Sequence, residues 1–322
     1  MDHPGFIKQH PILTFYFLTY AISWGGIVIT LGYGGIPREP SQLAKMIPFM
    51  VAAMLAGPAL ASVLLTGITS GWMGYRNLFS RVIQGRRPIG VYAAAVLTAP
   101  LVLMTVPLAL SLRFPDFMPR IFADSNKAPT LLTGFVVGSA AGFFEELGWT
   151  GFVIPRLRLR FDSFTTAVIV GVLWGAWHLP VNIGASVTPS GLSVPSLHGT
   201  LTFSFGLLPA YRVLMVRVWD QTGSLLLAML MHLSLTASNI ILGPVATPGM
   251  MAIAFNLTLA AVMWIVAAAT VVSSRRHAGC PTPHAFRWVR LNDLWRASVL
   301  QGEPSAGRWS WRRSRRLKPV VS

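Results

Sequence analysis

Long apolar runs almost without charged side chains constrain this chain more than any other feature. Across its 322 residues, apolar stretches fall at 11–34, 46–67, 89–112, 131–155, 164–181, 191–211, 224–243 and 250–272. A hydrocarbon core about 30 Å thick takes roughly 20 helical residues to cross. In lipid, each backbone polar group must bond within its own segment, so such runs become helices. The expected fold is therefore all-α: a polytopic transmembrane helical bundle of about eight spans occupying residues 1–273, followed by a basic tail at 274–322. The sixth run is the most polar, with Ser193, Ser196 and His198 near its start. The first follows Lys8 and is about twice the length of a signal-peptide core, so it is expected to remain as a span.

Composition supports this reading. Only 11% of residues are charged and 53% are hydrophobic, where a soluble domain carries about a quarter charged residues. The net charge of +16 could suggest a nucleic-acid binder, but the basic residues lie in short gaps between apolar runs and form no continuous surface. No nucleic-acid partner is expected. The single cysteine, Cys280, rules out an internal disulfide framework and a cysteine metal cluster.

With eight spans both termini share a side, and the positive-inside rule selects it. Lys8, Arg76, Arg81, Arg86, Arg87, Arg156, Arg158, Arg160, Arg212, Arg217 and the tail give 21 basic residues on one face, against 5 on the other (Arg38, Lys45, Arg113, Arg120 and Lys127). Both termini are expected in the cytoplasm of a bacterial cell, with the chain integral to the inner membrane and in contact with membrane lipid. In the tail, Trp288, Trp295, Trp309 and Trp311 interleave eleven of those basic residues. That composition suits anionic lipid headgroups, to which each basic residue contributes about 1 kcal/mol.

Ionisable groups within spans are costly, at about 2.5–3.5 kcal/mol each or more, and so point to function. Glu145 and Glu146 lie in the fourth span, His178 in the fifth and His232 in the seventh. Adjacent helical residues point about 100° apart, so the two glutamates are expected to differ in role. Glu145 shares a face with Trp149, and Glu146 with Thr150. His178 lies one turn after Trp174 and just before Pro180, which should end or kink the helix. Thr236 and Asn239 extend the face of His232 into a polar stripe.

The segments Glu145-Glu146-Leu147-Gly148-Trp149-Thr150, Trp174-Gly175-Ala176-Trp177-His178-Leu179-Pro180 and Leu230-Met231-His232-Leu233-Ser234-Leu235-Thr236 resemble the CAAX protease and bacteriocin-processing (CPBP) family of intramembrane proteases, over a core of about residues 130–243. That family's motifs are two glutamates with an arginine four residues after the second, an aromatic four residues before a histidine, and a histidine four residues before an asparagine. Here Thr150 stands at the arginine position and Thr236 at the asparagine position. An ion pair between positions 146 and 150 cannot form, so Glu146 must stay protonated, find another cation or bond the threonine.

The resemblance implies an intramembrane endopeptidase acting on a membrane-associated protein or peptide. Glu145 and His178 would activate water, with Glu146 a further member of the catalytic set, and His232 with Thr236 or Asn239 would stabilise the oxyanion. A divalent metal such as zinc, held by Glu145, His178 and His232, is an alternative that uses the same residues, although no His-Glu-x-x-His helix is present. Two other functions compete: a catalytically weakened immunity or binding protein on the same fold, suggested by Thr150 and Thr236, and a proton-coupled transporter using the same ionisable residues as a relay.

Overall fold

The computed structural model describes residues 5–37, 39–83, 87–245 and 249–277. The basic tail expected to meet anionic lipid lies outside the described residues from 278 onward. The helices are α1 (Pro11–Leu31), α2 (Pro40–Val82), α3 (Ile89–Ser111), α4 (Lys127–Leu157), α5 (Ser163–Trp177), α6 (Leu179–Ala185), α7 (Val194–Thr222), α8 (Leu225–Leu242) and α9 (Met250–His277). One short antiparallel pair, Val187–Thr188 with Gly191–Leu192, joins α6 to α7. Among the described residues seven helices are long and apolar enough to cross a membrane, and the pair α5–α6, bent by 45°, makes an eighth if it crosses as one span. This is the all-α bundle expected from the sequence.

The bundle is apolar outside as well as inside. Phe17, Ile29, Leu132 and Ile265 point outward and are exposed, whereas Glu145, Glu146, Arg212 and His232 are buried. A protein in water would hide the first set; one in lipid hides the second.

The helices that lead to the site begin on side-chain caps that fix where each helix starts. Asn126 accepts from the Ala128 N–H at α4, Asp162 from the Thr165 N–H at α5, and Ser224 from the Leu227 N–H at α8. Each cap satisfies an N–H that the first turn leaves without a partner. The Thr165 N–H, together with the Thr165 hydroxyl, holds the Asp162 carboxyl below its ordinary pKa. These helices carry the two glutamates and His232 and lead directly into His178.

Two expected boundaries change. The second span extends well beyond 46–67, continuing to Val82 through a break at Gly71, whose φ of +55° suits glycine. The sixth does not stop at 211 but runs on to Thr222, and Arg212, assigned from sequence to a cytoplasmic loop, is fully buried within it. The reason is electrostatic. A charge ends a span only when lipid would otherwise surround it, and Arg212 meets a carboxylate inside the bundle.

Candidate active site

The site begins with how closely α4 and α8 pack. Gly138 and Gly142 face α8, and a Cβ at these positions would come within 2.8 Å of the Leu233 carbonyl oxygen and 2.5 Å of the Met229 carbonyl oxygen. Only glycine permits this approach, a common device where helices meet in membranes. It brings Glu145 and Glu146, one turn further along α4, against His232 on α8. Immediately after the glutamates, α4 widens into a π-helical turn at Trp149–Val153, a local irregularity often found at functional sites.

The two carboxylates have different surroundings. Glu146 is fully buried: its Oε1 lies 2.7 Å from His232 Nδ1 and its Oε2 lies 2.9 Å from Arg212 Nη1, while the Thr150 hydroxyl donates to the same Oε2. Glu145 Oε2 accepts from Trp174 Nε1 at 2.8 Å and Trp149 Nε1 at 3.4 Å, and lies 3.7 Å from His232 Nε2. A carboxylate bonded to a guanidinium and a hydroxyl is an acceptor, so His232 donates from Nδ1 and directs Nε2 toward Glu145.

Pro180 acts on His178 as the sequence suggests. Helix α5 tightens at its end, where the His178 N–H bonds the Gly175 carbonyl, and the Trp174 carbonyl instead pairs with His178 Nδ1 at 2.9 Å. Because a carbonyl only accepts, His178 donates from Nδ1 and its Nε2 is left for other partners. Helix α1 pins this end of α5: Tyr20 Oη donates to the Leu173 carbonyl at 2.5 Å and Trp24 Nε1 to the Trp177 carbonyl at 3.0 Å.

Glu145, Trp174, His178, His232, Thr236 and Asn239 line one cavity of about 380 Å³, with Met50 and Met54 of α2 among its apolar walls. Thr236 is half-buried and Asn239 exposed, one and two turns from His232. Glu146 and Thr150 do not line this space and sit behind it. The structure thus brings the sequence-derived candidates together but separates the glutamates, one at the cavity and one in its support. As for a metal, among the described residues no group of three or more His, Cys, Asp or Glu side chains stands in a metal-holding arrangement. As placed, Glu145, His178 and His232 do not fit a three-ligand zinc site.

The residue that sequence reasoning missed is Arg212. It is fully buried, ion-paired with Glu146, and its Cζ lies 4.3 Å from the centre of the Trp174 ring. A signal existed: Val213-Leu214-Met215-Val216 continue the apolar run past it, and Glu146 had no arginine at 150.

A carboxylate and two imidazoles around a cavity, with a second carboxylate buried behind it, inside a bundle of membrane-spanning helices, fit an intramembrane hydrolase. Residues 127–238 match a family model described as type II CAAX prenyl endopeptidase Rce1-like. The chain is also similar to CAAX prenyl protease 2 of Methanococcus maripaludis, at 21% identity over 230 residues, covering 70% of this chain and 82% of that protein. Both comparisons are with CAAX prenyl endopeptidases, in line with the resemblance to the CPBP family, and support a CAAX protease-like intramembrane endopeptidase.

Proposed function

We propose that the chain hydrolyses a peptide bond in a membrane-associated protein or peptide, with Glu145 as general base. One observation carries the reading: Glu145 lines an apolar cavity with His178 and His232, and its carboxylate is held by indole N–H groups rather than neutralised by an arginine. A carboxylate without a guanidinium partner can accept a proton from water.

In this reading a water between Glu145 and His178 Nε2 gives its proton to Glu145, and its oxygen attacks the scissile carbonyl carbon. The carbonyl oxygen becomes the oxyanion, which the Nε2–H of doubly protonated His232 stabilises, with Thr236 or Asn239 as further donors. The C–N bond then breaks, and the proton passes through His178 to the leaving amine, giving a free carboxylate and a free amine. Glu146 acts behind the cavity, through His232. A divalent metal such as zinc remains a separate proposal, tested below.

The cavity is walled mainly by apolar side chains, which suits a substrate with a lipid-like or hydrophobic segment, and the similarity to a CAAX prenyl protease makes a prenylated peptide the first substrate to try. We further place both termini in the cytoplasm of a bacterial cell, with the basic tail on anionic lipid. A second reading, a weakened immunity or binding protein, is favoured by Thr236 in place of asparagine.

The test is comparative membrane proteomics of cells carrying the wild type or Glu145→Gln, together with hydrolysis of a farnesylated CAAX peptide by the purified chain. New peptide termini that vanish in Glu145→Gln support the protease. Identical termini in both, with the phenotype unchanged, favour the binding protein.

A further inference from the structure

We infer that Arg212 is a positioning residue that supplies, from α7, the cation which Glu146 lacks on its own helix, and that it keeps the proton on the His232 nitrogen that meets Glu146. The inference rests on the proposed roles of Glu145 and His232.

Three contacts carry it. Arg212 Nη1 lies 3.1 Å from Glu146 Oε1 and 2.9 Å from Oε2, so a single nitrogen bridges both carboxylate oxygens. Oε1 also meets His232 Nδ1 at 2.7 Å, and Oε2 also accepts from Thr150. While the guanidinium is present, the carboxylate only accepts, and His232 is obliged to donate from Nδ1. Without it, Glu146 can take the Nδ1 proton and donate it back to Nδ1, which leaves the ring neutral, protonated at Nε2 alone and a weaker donor to the oxyanion.

The third contact reaches the other glutamate. The Arg212 guanidinium stacks on Trp174, whose Nε1–H holds Glu145 Oε2 at 2.8 Å. One buried charge therefore steadies both atoms of the 3.7 Å pair, Glu145 Oε2 and His232 Nε2. A buried ion pair is seldom more stabilising than apolar packing, so its retention is better explained by geometry than by stability.

Position 150 offers a direct test. It is four residues from Glu146, hence on the same helical face, and the Thr150 side chain already touches the same carboxylate. Moving the charge from 212 to 150 should therefore restore the site. The chain would be reconstituted in lipid nanodiscs with ¹⁵N-labelled histidine, His232 being assigned by the loss of its ring signals in His232→Gln. Wild type, Arg212→Leu, Arg212→Lys and the double variant Thr150→Arg/Arg212→Leu would be compared for protonation of His232 Nδ1 and for kcat and KM on the farnesylated peptide.

The expected result for Arg212→Leu is a His232 ring no longer protonated at Nδ1 and a kcat lower by about a hundredfold with KM little changed. The double variant should recover the Nδ1 proton and most of kcat, and Arg212→Lys should keep the proton. Arg212→Leu with Nδ1 still protonated, or a folded double variant in which that proton is not restored, overturns the inference. Should Arg212→Leu fail to insert, Arg212→Lys and the double variant decide by the same Nδ1 signal. A wild type inactive on every peptide counts against the protease reading, while the His232 signal still decides the role of Arg212.

Discussion

His232 Nδ1 stands 2.7 Å from Glu146 Oε1, a contact between helices 86 residues apart in sequence and closed off from solvent. The other ring nitrogen lies 3.7 Å from Glu145 Oε2. One imidazole therefore spans both carboxylates of the pair, and the adjacency of Glu145 and Glu146 in sequence becomes two positions on opposite sides of a histidine. This separates a carboxylate available for chemistry from one committed to structure.

The commitment of Glu146 has an energetic consequence. Glu146→Leu leaves the Arg212 charge buried without its carboxylate and is expected to destabilise the bundle by about 3–5 kcal/mol. The double variant Glu146→Leu/Arg212→Leu removes both charges and should lie closer to wild type in stability, while remaining inactive. Thermal unfolding of the three proteins in one detergent checks this. A double variant less stable than the single would show that the ion pair is not what Glu146 is needed for.

The two tryptophans that hold Glu145 should be unequal. Trp174 Nε1 is 2.8 Å from Glu145 Oε2 and Trp149 Nε1 is 3.4 Å from the same oxygen, both fully or almost fully buried. Losing a buried hydrogen bond to a charged group costs about 1.5–3 kcal/mol. Trp174→Phe should therefore lower kcat by about tenfold to a hundredfold, Trp149→Phe by less. Steady-state kinetics with a detergent-solubilised prenylated peptide would show the order, and a reversed order would contradict the hydrogen-bond geometry.

Much of this arrangement is legible in the sequence because lipid makes polar residues conspicuous. Glu145, His178 and His232 stand out against apolar neighbours, and Pro180 marks the bend that turns His178 into the cavity. The 100° between Glu145 and Glu146 shows that they differ, but not which one is committed to an ion pair, since that depends on a partner from another helix. Arg212 was hidden for the opposite reason: a charge at the edge of an apolar run looks like the end of a span, and only the three-dimensional position of Glu146 keeps it inside. The glycines at 134, 138 and 142 repeat at helical spacing, but without a partner helix they look like ordinary small residues.

The glycine contact can be broken without touching a polar side chain. At Gly142 a methyl group would sit 2.5 Å from the Met229 carbonyl oxygen and 3.1 Å from the Leu233 nitrogen, both rigid helix backbone. Gly142→Ala should push α4 from α8, destabilise the protein by about 1–3 kcal/mol and reduce activity by separating Glu145 and Glu146 from His232. Gly25→Ala, where a Cβ would meet nothing within 4 Å, is the control and should leave both properties unchanged. Unfolding and peptidase measurements on the pair check the contrast.

Topology is open to an independent check. If α5 and α6 together cross the membrane as one bent span, the crossings number eight and both termini share a side; if they form a re-entrant segment, the crossings number seven and the termini are on opposite sides. The positive-inside rule favours the first, since Arg76, Arg81, Arg156, Arg158 and the tail then share the cytoplasm. Reporter fusions after residues 120, 190 and 322 should read external, external and cytoplasmic. An external reading at 322, or a cytoplasmic one at 190, would reject the bent pair as a crossing.

Chelation tests the remaining chemical choice. Each histidine has Nδ1 engaged, His178 with the Trp174 carbonyl and His232 with Glu146, so only the two Nε2 atoms and Glu145 are offered to the cavity. As placed, these do not form a metal-holding group among the described residues. Zinc would need Glu145, His232 Nε2 and His178 Nε2 to converge on one point. The glutamate-base reading accordingly predicts that prolonged dialysis against EDTA and 1,10-phenanthroline leaves peptidase activity within about twofold of the untreated protein, while Glu145→Gln lowers it by about two orders of magnitude or more. Activity lost on chelation and restored by stoichiometric zinc would instead assign Glu145, His178 and His232 as ligands, and the three side chains would have to move together to bind it.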